Sequence, residues 1–331
     1  MLSALPVVLL AAFNLPAAPE GHAETSTVSA AAYAGYQLDD PPPANRLYLQ
    51  SITALRANPL GLLELLTLSY RSRIMKSEKP LYQDNFAGAG LMLEATPAFA
   101  RIGPMIEVQP LTILRLWATY QVLGYFGSFN LMQSFASPNE EYSDSRIKEL
   151  GDLPSKEEGD SYPTTGTQFT AGANFQIKLG PIAARSAFRL VRSDYDLRDG
   201  DRLFYDQFYD VLVPNEGWYL TNDSDLLYVT DFGLVAGARH TVTHAFYGER
   251  HFRPGEVDLD LNPTMHRLGP FLAYTFFKEP AGGRFNSPTV ILIANWWLSH
   301  RYRTGEDVSV GLPYIVAAFM FTGDLWVSAK D

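Results

Sequence analysis

Residues 167–191 read TQFTAGANFQIKLGPIAARSAFRLV. The odd positions from Phe169 to Leu179 hold Phe, Ala, Ala, Phe, Ile and Leu, while Gln168, Thr170, Gly172, Asn174, Gln176 and Lys178 hold the even ones. Strict two-residue alternation is the period of a β-strand with two unlike faces. Gly180-Pro181 then interrupts as a turn does. The next run alternates again, with Ile182, Ala184, Ser186, Phe188 and Leu190 on one side and Arg185, Arg189 and Ser193 on the other. Together they predict a hairpin with one apolar face and one polar face that carries arginine. Strands of a soluble sandwich usually run about 5–6 residues. Strands of roughly 9–11 residues or more suit a tilted membrane barrel.

Composition points the same way. After the first 20 residues no apolar run reaches the length of a membrane helix. The chain has no cysteine, which excludes a disulfide framework, a thiolate metal site and a cysteine-linked lipid anchor. It also suits export through an oxidising compartment, where stray thiols would pair wrongly. The net charge of −10 excludes the basic footprint of a nucleic-acid binder. At the N-terminus an apolar run, LSALPVVLLAAFNLPA, is followed by Gly21-His22-Ala23. Residues 1–23 therefore read as a signal peptide with Glu24 as the first mature residue.

Outward from the hairpin, Arg46–Ala57 and Leu62–Lys76 read as strands around the turn Asn58-Pro59-Leu60-Gly61. Thr25–Leu38 reads as a first strand, and Leu114–Phe126 as the strand before a 40-residue insertion at 127–166. In Phe86–Pro110 the part FAGAGLMLEATPA is either a separate strand or the outer half of one long strand, and the strand count takes it as one. Asp201–Asp225 is aromatic and acidic together, and Leu226–Phe246 reads as one long strand carrying Arg239. Met265–Phe277, Thr289–Arg303 and Tyr314–Trp326 complete the set. With the long connections on one side and both termini on the other, the count is about 12, with 10 or 14 if one pair is regrouped.

These dyad strands, the alternation of short and long connections and the signal-like start resemble a Gram-negative outer-membrane β-barrel protein over residues 24–331. So do the aromatic strand ends Tyr125-Phe126, Phe246-Tyr247, Phe276-Phe277 and Trp296-Trp297. The resemblance is one of pattern, to a class rather than to one characterised family. It implies an all-β, antiparallel up-and-down transmembrane barrel in the outer membrane, in contact with outer-membrane lipid, with aromatic girdles and long extracellular loops. Phe319, Phe321 and Trp326 fit a last strand, although Val327–Asp331 runs past the aromatic ending usual in the class.

The chemistry-bearing feature is arginine. Arg71, Arg73, Arg101, Arg115, Arg185, Arg189, Arg239, Arg267, Arg301 and Arg303 all fall in expected strands, mostly on the polar face and so toward a lumen. Carboxylates in the same strands are few: Glu64, Glu94, Glu107 and Asp231. The insertion holds eight acids (Glu140, Glu141, Asp144, Glu149, Asp152, Glu157, Glu158 and Asp160) against three bases, a net −5. Folded inward, it would meet the guanidinium groups as a constriction or plug. Folded outward, it is a charged surface loop and each arginine pairs locally or snorkels to a rim.

No metal or cofactor is expected, since the six histidines form no HExxH or cysteine-histidine set. Ser299 and His300 are adjacent and so point to opposite faces of a strand. A rim site built from Asp206, Asp210, Asp225 and His251 is the enzymatic alternative. With no convincing catalytic set, the leading expectation is a small pore or transport barrel for hydrophilic or anionic solutes. A barrel enzyme and a structural or surface-binding barrel are the alternatives, told apart by conductance in a planar bilayer.

Overall fold

The computed structural model describes residues 42–328, apart from 59, 128–131, 155–158, 257–259, 280–281 and 306–310. The expected signal peptide and the expected strand Thr25–Leu38 lie outside the described residues. In chain order the strands are β1 (Asn45–Ala57), β2 (Gly61–Arg73), β3 (Phe86–Ala95), β4 (Phe99–Leu111), β5 (Leu114–Phe126), β6 (Ser134–Phe135), β7 (Pro163–Leu179) and β8 (Ile182–Tyr195). They continue as β9 (Leu203–Asp206), β10 (Val211–Pro214), β11 (Trp218–Val229), β12 (Leu234–Phe246), β13 (Met265–Thr275), β14 (Asn286–Ser299) and β15 (Tyr314–Val327). One helix, α1 (Asp144–Gly151), lies in the long insertion.

Twelve of these strands close an antiparallel barrel, and β6, β9 and β10 form a separate three-stranded sheet. Closure is made by β1 against β15, from Arg46 opposite Val327 to Ala57 opposite Ile315. The strand count matches the expectation, but its composition differs. Phe86–Pro110 is two strands, because Thr96 turns the chain: its hydroxyl accepts from the Ala98 and Phe99 amides at 3.1 and 3.0 Å. Leu226–Phe246 is likewise the end of β11 and all of β12, parted at Thr230, whose hydroxyl accepts from the Leu234 amide. A hydroxyl satisfying the turn amides hides such a break from a reading of hydrophobic period alone.

A 13-residue strand such as β1, at about 3.3 Å per residue and a tilt near 40°, rises roughly 33 Å, enough for an apolar band of ~25 Å. The outward positions supply that band: Leu55, Leu91, Ile102, Ile106, Val122, Leu226, Leu272 and Leu292 are all exposed. Phe126, Trp218, Phe246 and Trp296 fringe it at one end; Tyr70, Phe276, Phe277, Phe285 and Trp326 fringe it at the other. In water so continuous an apolar surface would drive association. In a bilayer it faces hydrocarbon, and closure leaves no backbone group unpaired at a sheet edge. This is the architecture of an outer-membrane β-barrel.

Three of the four expected aromatic pairs give only one residue to the fringe, because strand neighbours point to opposite faces. Tyr125 turns inward onto Phe99 (ring centroids 4.9 Å apart), and Trp297 turns inward toward Tyr314. The connections at 127–162, 196–217, 247–264 and 300–313 all leave from one end, with the short turns at 58–60 and 96–98. By the rule for such barrels that end is extracellular.

Candidate functional site

The inner wall follows from the same alternation. On β8, Arg185, Arg189 and Ser193 are buried and face inward, while Ile182 and Phe188 are exposed outside. On β5 the inward Trp117 lies across β7 at Gly172, where a Cβ would come within 2.2–2.5 Å of the indole. Gly172 is therefore the gap that lets a tryptophan fill the interior of this hairpin.

The interior carries buried ion pairs made between strands. Glu107 accepts from Arg71 Nε at 2.7 Å and Nη2 at 3.1 Å, from Arg115 Nε at 2.7 Å and from the Ser69 hydroxyl at 2.5 Å. Arg71 also lies over the rings of Tyr48 and Phe86, at 3.7 and 4.4 Å. Arg101 pairs with Glu94 at 2.6 Å. Asp225 takes Arg239 bidentately, at 2.7 and 3.0 Å, and Arg185 at 2.5 Å. Arg267 packs over Tyr314 at 4.0 Å, and Arg189 lines a small cavity with Glu94 and Arg101. Packed among these groups are Ile52, Leu63, Leu65, Met105, Phe271 and Ile293, nearly or wholly buried. The interior is thus a close-packed mixture of ion pairs and apolar side chains, not a water-filled bore.

Three expectations about charge are corrected. First, the strand arginines are met by strand carboxylates. Asp223 and Asp225 sit on the inward face of β11, in the stretch read as aromatic and acidic without a strand. Its outward face includes Asn222 and Ser224, so contrast between the faces is weak there. Second, Arg301 and Arg303 lie beyond the end of β14, which stops at Ser299. Arg301 donates to the carbonyls of Pro138, Asn139 and Glu140, and Arg73, at the opposite end of the barrel, donates to the Pro42 carbonyl. Third, the insertion stays over the mouth. Glu140 pairs with Arg253, Asp144 with Arg303 and Glu149 with Arg146. Glu141 accepts from Ser143, and Asp160 accepts from the Ser161 amide. Asp152 closes α1 through its backbone; Glu157 and Glu158 lie outside the described residues. Of the sequence's candidate strand carboxylates, Glu64 faces outward, taking hydroxyl bonds from Ser51 and Thr53, and Asp231 is exposed in a turn.

What enters the mouth is the β9–β10 hairpin, a feature the sequence reading missed. Leu203 opposite Pro214 and Asp206 opposite Val211 set its register. Its tip, 207–210, projects into the barrel: Phe208 packs on Phe99 and Tyr209 on Tyr219, with centroids 5.6 and 5.5 Å apart. Asp206 builds the tip by accepting from the Phe208 and Tyr209 amides, at 2.8 and 3.2 Å, and from the Tyr219 hydroxyl at 3.2 Å. Burial holds the Asp206 carboxyl above its usual range, against those amides and Arg101. Outside the mouth Leu203, Tyr205 and Leu212 pack with Phe135, Tyr142 and Leu150 as a core of their own, so hairpin and insertion form one cap.

Asp210 anchors the tip. Its carboxylate takes Arg303 Nε at 2.8 Å and the Tyr205 hydroxyl at 2.6 Å. Burial works to raise its pKa, but Arg303 and His300 outweigh burial and hold it below the usual range. His300 donates through Nε2 to the Asp210 carbonyl, while its Nδ1 accepts from the Tyr302 amide at 3.0 Å. That pair of bonds requires the neutral imidazole, and burial accordingly lowers the His300 pKa. From β1, Arg56 reaches the Gln207 carbonyl at 2.6 Å.

The enzymatic alternative is not assembled. Asp225 lies in the wall with Arg185 and Arg239, and His251 accepts from the Gly248 amide in the cap, apart from the Asp210 anchor. His240 and His266 meet at 3.2 Å on the outer face of β12 and β13, but no three potential metal ligands gather among the described residues.

No family model matches the chain, and no curated protein matches it. Solved structures with related architecture include the CymD monoaromatic hydrocarbon channel, at 11% identity over 87% of this chain and 90% of that one, TM-score 0.38. OccD3 (OpdP) of Pseudomonas aeruginosa matches at 11% identity over 87% and 93%, TM-score 0.30. LpxR of Salmonella typhimurium matches at 10% identity over 83% and 99%, TM-score 0.34. At such scores the outer-membrane reading stands on the closed barrel, its apolar band and its aromatic fringes.

Proposed function

We propose that the protein is a gated transport barrel of the outer membrane for small hydrophilic, anionic solutes, held shut by its own β9–β10 hairpin. The observation that carries this is the stopper itself. A hairpin inserted from a connecting segment fills the mouth above an arginine-rich wall, and polar contacts from two separate stretches, Arg56 on β1 and His300 with Arg303 after β14, hold its tip. The apolar residues below it form a second barrier, since apolar constrictions close a passage by dewetting. The interior strand arginines outnumber the interior strand carboxylates, so a passage opened here favours anions.

Uptake into proteoliposomes tests the proposal. The protein should admit a small carboxylate slowly, and a variant with 203–214 replaced by a two- or three-residue linker should admit it quickly. The excision is geometrically conservative, because Asn215 N–H already donates to the Arg202 carbonyl at 2.9 Å. Equal, negligible uptake by both would overturn it. That outcome would favour the second reading, a surface-binding barrel whose working part is the cap, supported by the separate apolar core of Phe135, Tyr142, Leu150 and Tyr205.

A further inference from the structure

The contacts that hold the hairpin tip are also the contacts that would hold a free carboxylate. Asp210 presents its carboxylate to Arg303 through two nitrogens, at 2.8 and 3.3 Å, and to the Tyr205 hydroxyl. The planar guanidinium fork pairs bidentately with a carboxylate, as it does with phosphate, and a spherical halide cannot use both of its arms. Arg303 is held in place from its far side by Asp144 of α1. Arg56 stands beside this group, 3% exposed. Its Nη1 donates to the Gln207 carbonyl, but its Nε and Nη2 are buried with no hydrogen-bond acceptor among the described residues. Arg56 and Arg267 both lie over the Tyr314 ring, at 5.6 and 4.0 Å. A buried guanidinium with two donors unspent is costly where it stands. It is explained if the region serves an anion that is absent from the closed state.

We infer that Arg303, Tyr205 and Arg56 form a carboxylate-binding socket, that Asp210 is its tethered occupant, and that a small carboxylate solute opens the barrel by taking the place of Asp210. The opening half of this inference rests on the transport proposal; the socket does not. A solute that wins Arg303 and engages the unspent donors of Arg56 releases the tip of the hairpin. The barrel then opens to the class of molecule it carries, and stays shut to neutral solutes and to chloride, which cannot use both arms of the fork.

Asp210→Gly tests the socket. Asp210 has a positive φ of 57°, which glycine adopts freely, so the change empties the socket without straining the backbone. In detergent the variant should melt about 5 °C below the parent. Acetate or formate should restore most of that loss, and chloride at equal ionic strength should not. With Arg303→Gln added, the carboxylates should restore nothing. A variant indifferent to carboxylate, or helped equally by chloride, would overturn the socket. Bilayer conductance tests the opening. Potassium acetate should raise the open probability of the parent severalfold over potassium chloride, and Asp210→Gly should conduct in either salt. If the hairpin-excised protein conducts while Asp210→Gly stays shut, the displacement mechanism is wrong and the transport proposal stands. If the excised protein stays shut as well, the transport proposal falls and takes the mechanism with it.

Discussion

Asp225 shows how a single interior carboxylate works in this barrel. It neutralises Arg185 and Arg239 at once, and all three are buried. Asp225→Ala would leave two guanidinium groups without their shared partner, a loss on the order of 3–5 kcal/mol. Urea unfolding of the folded barrel should show that loss as a lower midpoint, and an unchanged midpoint would show the pair to be dispensable. His300 sets a different dependence. Its folded pKa is lowered by burial, so as pH falls below about 6.5 the unfolded state gains the proton first and stability is lost. The Nδ1 proton would also meet the Tyr302 amide as donor against donor. Asp210, Arg303 and Arg267 are the charged groups that act on the ring, and the Asp210 carboxyl, held low, loses its contribution only in stronger acid. The hydrogen-exchange protection factors of 203–214, taken relative to the intrinsic exchange rate at each pH, should therefore fall between pH 7 and 5 in the parent and stay flat in His300→Gln. The same fall in both would assign the titration elsewhere.

Among the elements, the β7–β8 hairpin was legible residue by residue. Its two faces differ in chemistry at almost every position, and the turn is marked by Gly180-Pro181. Even there Gly172 has no meaning in the sequence alone, because its partner Trp117 comes from β5. Gly172→Val should cost about 1–3 kcal/mol by overpacking, and Trp117→Ala should relieve much of that cost in the double variant, read by thermal melting. Additive losses would contradict this contact. The β9–β10 hairpin was not legible. Its eight strand residues are nearly all apolar or aromatic, without alternation, because both of its faces are buried, one by the barrel and one by the cap. In the sequence the conspicuous charge of the acidic insertion points to that segment as the plug instead. That charge is spent on Arg146, Arg253 and Arg303, outside the wall.

At the scale of the whole molecule, barrel class could be read from strand length and connection rhythm, which depend on local pattern; the count of about 12 agrees with the 12 strands of the barrel, although those strands are divided differently along the chain. Which carboxylate meets which arginine could not be read, because the interior pairs cross between strands and depend on register, and some join strands that are not neighbours in the chain. Glu107 is reached by Arg71 from β2, two strands away, and by Arg115 from β5. The state of the lumen was likewise beyond the sequence, since it depends on a segment folding back from the mouth. The direct test is single-channel recording in planar bilayers of the parent protein and of the variant lacking 203–214, both first shown to be folded by heat-modifiable migration. The parent should insert and stay closed in potassium chloride, and the variant should give steady, anion-selective conductance. A folded variant that inserts and remains as silent as its parent would contradict the gated transport barrel.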